Sequence, residues 1–261
     1  MPRTIVIGDI HGALKALREL INDIIPVPGD EFIFLGDYVD GWPDSAQVVE
    51  YLLDFGRTHQ CHFIRGNHDL WCEQWLNGEK ADPIWLQHGG LATIASYQHL
   101  SETEKIRHLA FFSTLENYFT DDQNRLFIHA GFATLEGPAR EFRNGMYNWD
   151  RSLWEQALKM ELASKSGLAS KPELASIPEL ASKPDYASFP EKYKLYHEVY
   201  IGHTPTIFYQ IDTPFQALNV INVDTGAGFN GKLSALDIGN GTCWQSSNVP
   251  QLYPGVKGRT Y

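Results

Sequence analysis

Short apolar runs alternate with helical stripes through the first seventy residues. Residues 4–7 form an apolar run that stops at Gly8-Asp9, after which Leu14, Leu17, Leu20, Ile21 and Ile24 recur at spacings of three, three, one and three. That periodicity predicts a strand followed by an amphipathic helix. Residues 31–35 run into Gly36-Asp37, and Val48, Val49, Leu52 and Leu53 form a second helical stripe. Residues 61–64 then lead into Arg65-Gly66-Asn67-His68-Asp69. Asp9, Asp37 and Asn67 are separated by 28 and 30 positions, about the length of one βαβ unit of 30 or so residues. Three parallel strands would thus deliver two carboxylates and an amide to one sheet edge, where open α/β sheets bind ligands.

Further along, residues 89–98, 103–113 and 150–161 carry apolar positions at helical spacing, and 116–120 with 125–129 flank Asp121-Asp122-Gln123-Asn124 as a predicted hairpin. Beyond residue 190 strand character dominates at 199–201, 218–223, 232–238 and 243–245, which predicts a second sheet. The segment 161–190 differs in kind, reading ELASKS, GLASKP, ELASIP, ELASKP, DYASFP. Proline closing four of the five copies forbids a continuous helix. It reads as a solvated surface insertion expanded by tandem duplication, with a partner-docking arm or substrate lid as the sharper alternative. Loop entropy tolerates either.

Composition narrows the class. The 261 residues are 43% hydrophobic and 13% aromatic, enough to bury a substantial core. We expect one domain over 1–261, interrupted at about 161–190. A net charge of −11 argues against nucleic acid or an anionic membrane as partner. Cys61, Cys72 and Cys243 are odd in number and widely spaced, which suits a reducing compartment without disulfides. No run approaches the apolar length of a membrane span, and Met-Pro-Arg leads straight into strand character without a signal-peptide pattern. The expectation is a cytoplasmic protein.

Five motifs each follow an apolar run: Gly8-Asp9-Ile10-His11-Gly12, Gly36-Asp37-Tyr38-Val39-Asp40, Gly66-Asn67-His68-Asp69, His129-Ala130-Gly131 and Gly202-His203-Thr204. Singly, an Asp after a strand often caps a helix, and a lone His is more often structural than a ligand. Jointly they offer a mixed oxygen and imidazole set at strand ends. Such a set suits Mn, Fe or Zn better than the oxygen-only shells of Ca or Mg.

In order and spacing these motifs resemble the calcineurin-like metallophosphoesterases, in particular the phosphoprotein phosphatase branch with its bacterial Ser/Thr phosphatases and diadenosine tetraphosphatases. The resemblance implies an α/β fold of two packed mixed sheets flanked by helices, in four αββα layers. It implies two divalent metal ions, Mn first with Fe or Zn as alternatives. Asp9 and His11 would bind one, Asp37 would bridge both, and Asn67, His129 and His203 would complete the second. Two such ions about 4 Å apart would supply a hydroxide for in-line attack on phosphorus. His68 matches the general acid that protonates the leaving group, and Asp40 its hydrogen-bonding carboxylate.

Two positions depart from that pattern. Where the phosphatases continue from the second Asp with Arg-Gly, this chain reads Asp40-Gly41-Trp42, so one phosphate-binding arginine is missing or comes from elsewhere. Arg151 in Asn148-Trp149-Asp150-Arg151 is the first candidate, ahead of Arg65 and Arg143. Trp42 reads as ordinary packing rather than as a wall for an aromatic leaving group. Asp69 stands where the protein phosphatases have Glu. His88-Gly89-Gly90 is passed over as ligand in favour of His129, Thr225-Gly226-Ala227-Gly228 lacks the lysine and helix of a phosphate loop, and His59, His62, His99, His108 and His197 are read as structural.

The resulting expectation is a metal-dependent phosphomonoesterase acting on phosphoserine or phosphothreonine, with phosphotyrosine also in reach. The alternatives are symmetrical cleavage of a dinucleoside tetraphosphate, another small phosphoester, or a non-catalytic metal-binding regulatory module.

Overall fold

The computed structural model describes residues 2–141, 145–166 and 189–259, with side chains at 164–166 excepted. Three parallel strands begin the chain: β1 (Thr4–Ile7), β2 (Glu31–Phe34) and β3 (Gln60–Phe63), joined through helices α1 (Leu14–Ile24) and α2 (Ser45–Phe55). The alternation of strand and helical stripe in the sequence is thus the βαβαβ unit it predicts. Helix α3 (Asn67–Leu76) starts directly after β3, and α4 (Pro83–Trp85), α5 (Leu91–Ser96) and α6 (Glu102–Ser113) follow. The helix expected over 89–98 is trimmed at its start, because Gly89 takes φ 108° and breaks the helical path.

The predicted hairpin is β4 (Tyr118–Thr120) paired antiparallel with β5 (Arg125–Ile128). After α7 (Met146–Trp149) and α8 (Ser152–Ser166) come β6 (Glu198–Ile201), β7 (Phe215–Ala217), β8 (Val220–Asn222), β9 (Ser234–Asp237), β10 (Cys243–Gln245) and α9 (Val249–Leu252). Helix α8 runs through the first repeat copy, the one lacking proline; copies between 167 and 188 lie outside the described residues. The strand expected at 218–223 is shortened to β8, and β7, which was not expected, precedes it, Leu218 with φ 54° lying in the turn between them.

The strands form two five-stranded sheets, ordered β10-β9-β1-β2-β3 and β4-β5-β6-β8-β7. The expectation that all late strands build the second sheet is corrected: β9 pairs antiparallel with β1, and β10 with β9, so both extend the first sheet. A strand of four residues encodes its two faces but not its partner, and here the partner lies more than 200 residues away.

Side-chain alternation builds the layers. Ile5, Ile7, Phe32 and Phe34 pack outward against Leu17, Leu20, Val48 and Leu52 of α1 and α2. Val6, Ile33 and Leu35 point the other way and meet Phe127, Tyr200 and Ile221 of the second sheet. Leu126, Ile128, Val199 and Ile201 then face Leu153, Trp154 and Ala157 of α8. Helix, sheet, sheet and helix are stacked in that order, which is the four-layer arrangement expected. Each apolar side chain so buried contributes about 1.5–3 kcal/mol.

Candidate metal centre

Five strand exits converge. The loop after β1 carries Asp9 and His11, that after β2 Asp37 and Asp40, and β3 feeds Asn67 and His68 at the start of α3. From the second sheet, β5 leads to His129 and β6 to His203. All eight side chains are buried. The loops are laced together by backbone bonds, Ile10 N and His11 N both donating to Asp37 O at 3.1 and 2.8 Å. Asp69 ties the second loop to the third: its carboxylate accepts from the N–H groups of Asp37, Tyr38 and Gly66, each at 2.8 Å. His11, Asp37, Asp40 and His203 have φ values of 52°, 53°, 76° and 66°. Half of the non-glycine residues with positive φ among those described therefore lie here, a concentration of backbone strain typical of functional loops.

Hydrogen bonding fixes which ring atom each histidine presents. His11 Nδ1 donates to Val39 O at 3.1 Å and His129 Nδ1 to Leu35 O at 2.7 Å, so each ring turns Nε2 inward. Asp37 Oδ2 lies 3.5 Å from His11 Nε2, 3.4 Å from His129 Nε2 and 4.0 Å from His68 Nε2. Asn67 Oδ1 lies 3.2 Å from His129 Nε2 and 3.0 Å from His203 Nδ1. Asp9 presents Oδ2 to the His203 N–H at 3.0 Å, while its Oδ1 is buried without a partner.

This donor set fits cations. Ligand atoms about 2.1 Å from one ion lie roughly 3.0 Å apart in octahedral and roughly 3.4 Å apart in tetrahedral geometry, close to the spacings among Asp37, His11, Asn67, His129 and His203, while Asp9 Oδ2 lies 3.9 Å from His11 Nε2. Two buried groups of potential ligands share Asp37, one with His11 and His68 and the other with His129 and His203. The electrostatics agree. Burial, Asp224 and Asp37 push the Asp9 carboxyl well above its ordinary range, and burial and Asp37 push Asp224 up to about 6. Burial alone would lower His129, but Asp37 and Asp9 outweigh it and lift the imidazole to about 10. Burial also raises Asp37, yet His129, His68 and His11 hold it well below the usual carboxylate range. Converging carboxylates with an orphaned oxygen are what positive charge relieves.

His68 stands apart from the imidazoles anchored on carbonyls. Its Nδ1 contacts Asp40 Oδ2 at 2.5 Å, and Asp40 in turn accepts from Trp85 Nε1 at 2.6 Å and Thr93 Oγ1 at 2.5 Å. The ring edge therefore faces the cavity in front of Asp37, a space of about 120 Å³ also bordered by Asn67, Trp71, Trp149 and His203. Trp71 lies 5.2 Å from the His68 ring and 4.9 Å from Trp149, which lies 6.2 Å from His203. An indole wall thus runs across the cavity mouth, with Trp149 43% exposed.

All nine residues singled out from the sequence meet at this centre, Arg151 by donating from Nε to His203 Nε2 at 3.3 Å. Arg65 does not; it pairs with Glu73 and the Phe112 carbonyl. Arg143 lies outside the described residues. Trp42 is buried, donates to Ala227 O at 2.7 Å and stacks on Tyr253, the packing role expected. His88, passed over as a ligand, borders the cavity. Sequence reasoning missed Trp71, Trp149 and Arg259, while the resemblance had already put the Asp224-Thr225-Gly226 turn near the site. Trp71 was within reach, since it lies one helical turn beyond Asn67. Arg259 had no local signal.

Comparison with known proteins agrees with this geometry. A relative from Geobacillus thermodenitrificans, a bis(5'-nucleosyl)-tetraphosphatase PrpE of the asymmetrical kind, is 26% identical over 98% of both chains. Three other relatives are matched over 15%, 56% and 44% of their lengths. A serine/threonine phosphatase from Saccharomyces cerevisiae shares the fold with a TM-score of 0.59 at 16% identity, covering 100% of this chain and 84% of its own. Residues 2–204, which span all five motifs, match the calcineurin-like phosphoesterases, and the chain belongs to that family.

Proposed function

We propose that the protein is a dinuclear metal-dependent phosphohydrolase whose substrate carries a planar ring near the scissile phosphate, a dinucleoside tetraphosphate being the first candidate. Asp9 and His11 would hold one cation and Asn67, His129 and His203 the other, with Asp37 shared between them. The single observation that carries this is Asp37 Oδ2, 3.5 and 3.4 Å from two imidazole nitrogens that face each other across it. Bound there, two divalent ions supply an ionised water and neutralise phosphate charge. His68 delivers a proton from Nε2 to the leaving oxygen while Asp40 holds Nδ1–H, and Asp40 keeps its place through Trp85 and Thr93. Trp71, beside His68, and Trp149 would together offer a face for a nucleobase. The name of the Geobacillus thermodenitrificans relative supports the same class.

A second reading, phosphoserine, phosphothreonine or phosphotyrosine on a protein, is favoured by the exposed rim, where Trp149 and Ile84 are 43% and 56% accessible. The experiment is hydrolysis by manganese-loaded protein of diadenosine tetraphosphate, phosphopeptides and p-nitrophenyl phosphate, with products identified. AMP with ATP marks asymmetrical cleavage, and two ADP the symmetrical mode. Turnover of phosphopeptides with the dinucleotide untouched would establish the second reading instead.

A further inference from the structure

The pair Gly41-Trp42, which breaks the phosphatase pattern, is accounted for by what packs on it. Gly41 and Gly89 have φ values of 90° and 108°, and Gly41 N donates to Gly89 O at 3.3 Å. A Cβ on Gly41 would lie 3.0 Å from Arg259 Cγ, and one on Gly89 would lie 3.3 Å from the same atom. The two glycines form the trough that holds the Arg259 stem. Trp42 secures the segment delivering it: a Cβ on Gly258 would meet the indole Cζ2 at 2.6 Å, and Arg259 N donates to Gly228 O at 2.9 Å. Trp42 Nε1 is itself bound to Ala227 O, one residue from that anchor.

The guanidinium so delivered borders the same cavity as Asp37, His68 and Arg151. Its Nη1 donates to His11 Nε2 at 3.0 Å, its Cζ lies 4.9 Å from the Phe229 ring centroid, and its Nε is buried with no partner. An arginine kept only for packing has its buried donors satisfied. His11 Nε2 has one lone pair, already assigned to a cation, so Nη1 as well as Nε is left to find an acceptor. The guanidinium, which borders the cavity, therefore has donors to spare for an oxyanion, with Nη1 and Nε on opposite edges of the group.

We propose that Arg259 binds the non-bridging oxygens of the substrate phosphoryl group, standing in for the arginine that the chain lacks after Asp40. Arg151, at His203, grips from the other side. The inference rests on the phosphohydrolase reading, and its test does not depend on turnover. Calorimetric titration of the manganese-loaded full chain with inorganic phosphate reads the site directly. Arg259→Ala should weaken phosphate binding by about 10- to 100-fold, the loss of a charge-assisted pair. Arg259→Lys, which keeps charge but not the fork, should recover only part of it, with manganese affinity within about 3-fold of the parent in both variants. Unchanged phosphate affinity in Arg259→Ala overturns the proposal, as does a variant that only binds manganese more tightly, or a parent that binds no phosphate. If phosphate affinity depends on Arg259 while no phosphoester is turned over, the arginine assignment stands and the proposed function falls.

Discussion

His68 Nδ1 and Asp40 Oδ2 are 2.5 Å apart, in a pocket sealed by Trp85 and Thr93. Three donors thus hold the carboxylate in place, and the second nitrogen of the imidazole faces the cavity. His68→Asn and Asp40→Asn should each lower kcat about 10²- to 10⁴-fold on substrates with poor leaving groups. The loss should shrink on p-nitrophenyl phosphate, whose leaving group needs no proton. Metal content measured by elemental analysis should stay at the parent level; if it drops, His68 is a ligand and not the acid.

Asp37 is shared by both groups of ligands. Asp37→Asn should lower bound manganese from two ions per chain to one or none, read by calorimetry and elemental analysis. Chelation of the parent should lower its melting temperature, because a ligand that binds only the folded state stabilises it by mass action. The melting temperature of Asp37→Asn should respond less to added manganese.

Trp71 and Trp149 form an edge-to-face pair at the cavity mouth. Stacking of a base on an aromatic side chain is worth about 1–3 kcal/mol. Trp149→Ala, the exposed member, should therefore raise KM for diadenosine tetraphosphate about 5- to 150-fold, with little change for a small alkyl phosphate. Equal effects on both substrates would show that the indole positions His203 and not the base.

Arg151 reaches the centre through His203 Nε2 and is otherwise exposed. Its removal should raise KM for phosphate esters by about 10-fold, as expected where uniform binding of ground and transition states is lost. Steady-state kinetics of Arg151→Ala that match the parent would remove it from the site.

Far from the centre, Asp30 accepts from Arg3, at 2.5 Å from Nη2, and from the Val27 N–H at 2.9 Å. Burial raises its pKa, but these donors more than offset it and the net shift is downward. A depressed folded-state pKa gives stability that is fully present above the ordinary carboxylate value of about 3.9 and is lost as pH falls through the folded value. Asp30→Asn should cost about 1–3 kcal/mol at pH 7 and progressively less below pH 4, read from urea melts across that range. A pH-independent difference would show that geometry, not charge, holds the pair.

The first half of the fold was legible because its signals are local. Each strand of the βαβαβ unit ends on glycine followed by Asp or Asn, and each helix shows its buried stripe. The sheet joined by β9 and β10 was not, since pairing of residue 6 with residue 236 leaves no trace in either short strand. The centre was legible for the same reason as the unit: strand exits carry its residues in compact motifs. What surrounds the centre was less so. Trp71 and Trp149 look like core residues until the chain folds, and Arg259 acquires meaning only against Gly41 and Gly89, more than 160 positions earlier.

The pairing of β1 with β9 also orders events in time. Gly8 N, at the base of the first motif, donates to Ser234 O, and Arg259 is seated later still. A nascent chain that has already displayed all five motifs lacks both the strand that braces Asp9 and the guanidinium beside His11. Such long-range closure is slow relative to local structure. The five motifs are complete in the sequence by residue 204, but the first of them is braced in the fold only by chain that comes after the last.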